Sequence, residues 1–335
     1  MFQTDPILFL QRFEGLLPNH FFGAINQLGY SEFTIPFVIV LVFGIHVRRG
    51  ILLAQVLLWN SLFTDVLKAA FALPRPSEVD SAVRLLPGGQ PNTSPFEGAD
   101  APAWYRPLPT DVVDHYRTLD GYSFGMPSGH VSATVTLWGG IAILFQRRPL
   151  IVLAVVMTVL MGLTRMYFGR HFIADVLGGV AVGTVALAGL AVVRRTLPRR
   201  TPGLAAAMKI SLLIAPPLYL LFPGAEPETV ARLLGVNVAS LLLQAQGLPA
   251  DDAVLWRRAA RVGVGFLVYF AAAFATGAAL ETAFGETLFV EALAAFIPAT
   301  LGLWGGVRLN EKLGLFTRPP TIADRAVAAT VPAEK

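Results

Sequence analysis

The sequence predicts an all-α fold, a polytopic bundle of membrane-spanning helices, and three observations carry that expectation. Of 335 residues, 54% are hydrophobic and only 14% charged, with a mean hydropathy of +0.60, whereas a soluble domain carries about a quarter charged residues. Apolar runs of roughly 20 residues, the length that crosses a bilayer, recur along almost the whole chain. Short arginine clusters separate them. Only helices and closed barrels satisfy every backbone polar group in lipid, and runs of this length are helical.

Taken in order, the runs are Phe33–Val47, Ile51–Leu73, Gly129–Phe145, Leu150–Phe168, Phe172–Val193, Leu204–Phe222, Thr229–Gly247, Val262–Ala283 and Thr287–Val307. The segment before them is apolar but interrupted by Arg12, Glu14, Pro18 and His20. It reads as an interfacial amphipathic helix or a weak additional span. The N-terminus, "MFQTDPILFL", has no basic leader of the kind that opens a signal peptide. Residues 77–126 are rich in Pro, Gly and acidic residues yet hold Trp104, Tyr105 and Tyr116, which predicts an ordered extramembrane loop. The small residues Ala271, Ala275 and Ala279 follow the spacing of close helix packing. The tail from about Pro319 reads as flexible.

Charge excludes some functions and sets the orientation. The chain has no cysteine, which rules out disulfides, thiolate metal sites and cysteine nucleophiles. Its pI of about 9.6 comes from arginines between apolar runs, the positive-inside pattern of membrane proteins and not a nucleic-acid-binding face. If the spans alternate, "HVRRG", "FQRRP", "VVRRTLPRR", "LWRRAAR" and the C-terminal segment share one side and hold most of the 26 Lys and Arg residues. That side faces the cytoplasm. The loop leading into "MPSGH" faces the opposite side of the cell membrane.

Polar residues then gather at that outer side. Lys68 and Arg75 lie at the end of the second span, Ser128, Gly129 and His130 open the third, Arg165 ends the fourth, and His171 and Asp175 open the fifth. Ionisable residues near a membrane are rare and by default propose a functional site. Three cations without a carboxylate cluster describe an anion site of phosphate size. Arg75 and Arg165 can each grip two oxygens, with Lys68 as a point charge. Ser128 and Gly129 open a helix, adding backbone N–H groups and the positive end of its dipole. His130 can protonate a leaving oxygen. His171 can attack phosphorus, with Asp175 one turn on to orient the imidazole. The chemistry is a two-step phosphoryl transfer in which protein cations replace a metal. "HFIAD" offers only two metal ligands, and no cofactor is expected.

Each piece has a plainer explanation. Lys68 can snorkel or neutralise Asp65, His171 and Asp175 can be an ordinary helix pair, and "PSGH" can be a turn with a helix cap. Their order and common side of the membrane favour the site.

"KAAFALPRP" (Lys, six residues, Arg-Pro), "PSGH" and "TRMYFGRHFIAD" (Arg, five residues, His, three residues, Asp) resemble the three signature motifs of the type 2 phosphatidic acid phosphatase (PAP2) superfamily. That family covers membrane lipid phosphate phosphatases and shares its site with vanadium haloperoxidases and bacterial acid phosphatases. The resemblance covers about Phe33–Val193. It implies phosphate binding by Lys68, Arg75, Ser128, Gly129 and Arg165, with His130 as acid, His171 as nucleophile and Asp175 as its partner. Thr164 stands where the family usually has serine, and it retains the hydroxyl.

The resulting expectation has four segments. Residues 1–30 are interfacial or weakly spanning, and 31–200 form the PAP2-type catalytic core including loop 77–126. Residues 201–312 are accessory transmembrane helices, and 313–335 form a flexible cytoplasmic tail. The expected substrate is a lipid phosphate monoester or diphosphate, hydrolysed through phosphohistidine without metal. The expected partners are that substrate and membrane lipids, with no nucleic acid. One alternative passes the phosphoryl group to a lipid or sugar acceptor. The other is a lipid transporter, suggested by the number of spans and by the prolines at 216 and 217, but its polar residues belong at the membrane midplane.

Overall fold

The computed structural model describes residues 1–86, 92–119, 122–196, 202–250 and 254–316. Among these the chain is a helix bundle with no β-strand. Helices α1 (Asp5–Gln11) and α2 (Leu16–Gln27) precede α3 (Ser31–Ile39), which widens into π turns over Val40–Ile45. Then come α4 (Val47–Phe71), the short α5 (Pro76–Val79), α6 (Thr110–Arg117), α7 (Gly129–Phe145), α8 (Arg148–Tyr167) and α9 (Ile173–Thr196). The C-terminal part holds α10 (Pro202–Leu218), α11 (Pro227–Gln246), α12 (Leu255–Phe284) and α13 (Leu288–Thr300). After α13 the chain runs through π turns into α14 (Gly306–Lys312).

Helix α7 is the centre of the first bundle and packs on α4, α8 and α9. Its contact with α9 is unusually close because Gly179 and Gly183 face it. A Cβ on Gly179 would stand 2.6 Å from the Ser128 carbonyl oxygen, and one on Gly183 2.7 Å from Val135 Cβ. Small residues four apart let two backbones approach in this way. The second bundle packs α11 against α10 and α13, and α12 against α13. It joins the first where α11 meets α4, through a core that includes Phe43, Ile51, Ala239, Leu243 and Val307.

Among the described residues, five helical stretches are long and apolar enough to cross a membrane: Val47–Val79, Arg148–Tyr167, Ile173–Thr196, Leu255–Phe284 and Leu288–Lys312. Leu16–Gln27 and Ser31–Ile45 form a pair bent by 52° that counts as a sixth if taken together. The expected spans at 129–145 and 204–222 are helical but short, and α11, 20 residues long, falls below the hydropathy of a span. Shielding by neighbours accounts for α11. Its buried Asn237 accepts a hydrogen bond from Gln55 at 2.8 Å and donates to the Leu212 carbonyl at 2.8 Å, so its polar groups need not face lipid.

Two expectations change. Ala271, Ala275 and Ala279 do not pack against another helix: all three are exposed on α12, whose opposite side carries Val262, Phe266 and Tyr269 onto the core. Prolines 216 and 217 do not break α10, which runs through to Leu218 before a 3₁₀ turn. The expected tail 313–335 lies outside the described residues from 317 onward.

Loop 77–126 packs as an ordered cap in its described part. With α1, it builds an apolar cluster from Ile7, Val79, Val83, Val112, Tyr116 and Phe172. Buried polar ties hold it down. Thr4 Oγ1 donates to Asp80 at 2.8 Å, and the Gln11 amide donates to the carbonyls of Arg84 at 2.7 Å and Tyr167 at 3.0 Å.

Candidate active site

Four helix ends meet beneath this cap. Helix α4 stops at Phe71, where Ala72 turns left-handed and Pro74 and Pro76 prevent continuation. That turn delivers Lys68 and Arg75 to one place. Helix α8 stops before Gly169, whose φ of +68° favours glycine. A Cβ there would lie 2.5 Å from the Arg84 carbonyl oxygen. The turn brings His171 back toward Arg165. Opposite them, the segment before α7 docks onto α9, with Ser128 N–H donating to the Asp175 carbonyl at 2.9 Å.

The result is a cavity of about 680 Å³ lined by Lys68, Arg75, Gly129, His130, Arg165 and His171, a volume in the range of small-ligand pockets. Ser128 and Asp175 stand immediately behind its wall, both fully buried. Asn26, Gln27, Tyr30, Glu32, Leu86, Phe168 and Arg170 complete the lining.

Each plainer explanation meets a geometric obstacle. Lys68 forms no salt bridge with Asp65, and its ammonium stands where a Cβ on Gly129 would be 3.6 Å away. Ser128 precedes α7, but its side chain makes no capping bond. Its hydroxyl is buried without a partner, and the orphan N–H groups of the first turn stay open to an anion. His171 and Asp175 are not a solvated surface pair. They are 2% and 0% exposed, with Nδ1 of His171 3.4 Å from Asp175 Oδ2. The same carboxylate oxygen accepts the Phe172 N–H at 2.9 Å.

With Nδ1 turned to the carboxylate, Nε2 of His171 is the free edge of the ring. Burial, followed by the positive charges of Arg165, Arg75 and Lys68, holds this imidazole well below its usual range. That shift favours the neutral ring, the form that nucleophilic attack requires. Arg75 is held by Ser123, donating through Nε to the carbonyl at 2.9 Å and through a terminal nitrogen to the hydroxyl at 2.8 Å. Its backbone N–H is taken by Glu78 at 2.6 Å. The Thr164 hydroxyl donates back to the Leu160 carbonyl at 2.7 Å and so serves its own helix.

Sequence reasoning missed several contributors. Asn60, Thr64 and Lys68 are four residues apart on α4, one face of a helix. Asn60 donates to Ser132 Oγ at 3.1 Å, and Thr64 and Ser132 hydroxyls lie 3.0 Å apart. This network ties Lys68's helix to the first turn of α7, and its four-residue spacing was a readable signal. Asn26 and Tyr30 carried none. Among the described residues, no three His, Asp or Glu side chains gather closely enough to hold a metal ion.

Residues 49–199 match the family model described as the PAP2 superfamily. The chain is also similar to phosphatidylglycerophosphatase B of Bacillus subtilis (strain 168). The two are 25% identical over 178 residues, covering 49% of this chain and 70% of that protein. No solved structure matches the chain significantly.

Proposed function

We propose, from the premise that residues 49–199 belong to the PAP2 superfamily, that this chain is a membrane phosphatase that removes phosphate from a lipid phosphate. It acts on a monoester or diphosphate through a phosphohistidine, without a metal. The observation that carries this reading is a buried, carboxylate-paired histidine opening onto the same cavity as Lys68, Arg75 and Arg165. The family-model match over residues 49–199, which hold Lys68, Arg75, Arg165 and His171, supports it, as does the similarity to phosphatidylglycerophosphatase B of Bacillus subtilis.

In this mechanism Nε2 of His171 attacks phosphorus as the bond to the lipid oxygen breaks, and His130 gives that oxygen its proton. Water then attacks the phosphohistidine, passing a proton to His130, and inorganic phosphate leaves with His171 restored. Lys68, Arg75, Arg165 and the N–H groups at the start of α7 stabilise charge on the phosphoryl oxygens in both steps. Asp175 holds the His171 ring by Nδ1. Residues 201–312 lie outside the catalytic core as accessory membrane helices.

Phosphate release in detergent, across a panel of lipid phosphates with no added acceptor, tests the proposal. Release from at least one of them is expected, persisting in EDTA and inhibited by vanadate, which mimics five-coordinate phosphorus. No release from any substrate overturns the phosphatase. Loss on chelation, restored by Mg²⁺, overturns the metal-free mechanism, and release only with an acceptor lipid or sugar turns the enzyme into a transferase.

The arginine-rich loops support a cavity that opens on the extracytoplasmic side of the membrane. A cysteine replacing exposed Glu97 in the cap is expected to react with an impermeant thiol reagent in intact cells. One replacing exposed Thr196, at the far end of α9, is expected to stay unlabelled. Labelling of Thr196→Cys alone reverses the orientation.

A further inference from the structure

The corner between α2 and α3, outside the family-matching segment 49–199, sits directly on the cavity. A Cβ on Gly29 would lie 2.5 Å from Cδ2 of His130, and the Tyr30 ring meets the His130 imidazole edge-on at 4.5 Å between centroids. Four residues before Tyr30, Asn26 is 9% exposed and accepts a hydrogen bond from a terminal nitrogen of Arg165 at 2.7 Å. Its amide nitrogen donates to the Tyr30 hydroxyl at 3.3 Å. These two partners fix the amide's orientation, because a guanidinium only donates and the oxygen must face it.

We infer that Asn26 is a positioning residue that holds the Arg165 guanidinium from behind and presents its remaining N–H groups to phosphate. This rests on the phosphate-site reading above. Arg165 is 6% exposed, and its Nε is buried without a partner, an unmet donor at the wall of a cavity lined by four cations and one carboxylate, Glu32. A buried arginine normally takes a carboxylate. A carboxylate here would cancel the charge that draws the anion in, and its own charge would repel phosphate. An amide oxygen fixes the fork without subtracting from it. The N-terminal helices thus complete a site whose chemistry-bearing residues all lie elsewhere.

The test is orthovanadate binding to the full chain in detergent, read as the concentration that half-saturates a thermal shift. Asn26→Asp keeps the size and the hydrogen bond but adds a negative charge. It is expected to weaken vanadate binding by at least about tenfold, with the unliganded melting temperature held. Asn26→Ala is expected to weaken binding less, and to add nothing in an Arg165→Ala background, because its effect passes through that arginine. Wild-type affinity in Asn26→Asp, or independent losses in the double variant, overturns the inference and leaves the phosphate site standing. Should Asn26→Ala fail to fold, Asn26→Asp decides alone. A wild-type chain that binds no vanadate overturns the phosphate site itself, and the inference with it.

Discussion

Replacing His171 with alanine is expected to abolish phosphate release from every lipid phosphate and to remove the phosphoenzyme altogether. The loss should be roughly 10⁴- to 10⁶-fold, as when the atom that bonds to the reacting centre is removed. The trapped species in the unaltered chain should be stable in base and labile in acid, as an N–P bond is. Three features make this residue decisive. Its ring is 2% exposed and held through Nδ1 by Asp175, which fixes its orientation. It favours the neutral form among cations because burial and Arg165, Arg75 and Lys68 disfavour its protonation. It opens on the one cavity where those cations converge. Vanadate binding serves as the control for folding, because the cations that grip the oxyanion survive in His171→Ala. A phosphoenzyme persisting in that variant would remove His171 from the nucleophile's role.

Much of the site could be read from the chain because ionisable residues in an apolar sequence must be placed deliberately. Lys68, Arg75, Arg165 and His171 each stand at the end of an apolar run, and alternation of spans puts those ends on one side. The structure adds what alternation does not specify, namely that the ends converge on one cavity. Ser128 was legible as the residue opening a helix. That its side chain makes no capping bond is something no local pattern around Ser128 encodes.

Other features were illegible for physical reasons. Asn26 sits in a stretch that reads as interfacial, and its role exists only because α2 packs beside α8 and meets Arg165, 139 residues later. Spacing also misled. Ala271, Ala275 and Ala279 carry the same four-residue rhythm as Gly179 and Gly183, yet only the glycines meet another helix. Small residues permit close packing without causing it. The bulkier residues on the other side of α12 decide which face turns inward. Hydropathy understated α11 in a similar way, since a helix wrapped by α4, α10 and α13 can bury Asn237 at no cost to a lipid-facing surface.

Alanine at His130 is expected to show a loss that depends on what leaves. This residue lines the cavity on the first turn of α7, with Nε2 buried and without a protein partner and its ring braced by Tyr30. A lipid alkoxide is a poor leaving group and needs a proton as it departs. Bound phosphate brings the negative charge that favours a protonated imidazole at a site already holding three cations. With such a substrate, His130→Ala should lose roughly 10²- to 10⁴-fold, the usual contribution of general acid catalysis. An activated aryl phosphate has a leaving oxygen that barely needs a proton. On it, the first step should survive nearly intact, and phosphoenzyme should accumulate because His130 is missing as the base for the second step. Lys68→Ala, Arg75→Ala and Arg165→Ala supply the contrast. They remove charge stabilisation from the phosphoryl group whatever departs, so their losses should be similar on both substrates. The comparison is made by single-turnover measurement of phosphoenzyme formation, which separates the first step from hydrolysis. Equal losses for His130→Ala on good and poor leaving groups would take the acid's role from His130. The cation site and the nucleophile would stand, because neither depends on which group supplies that proton.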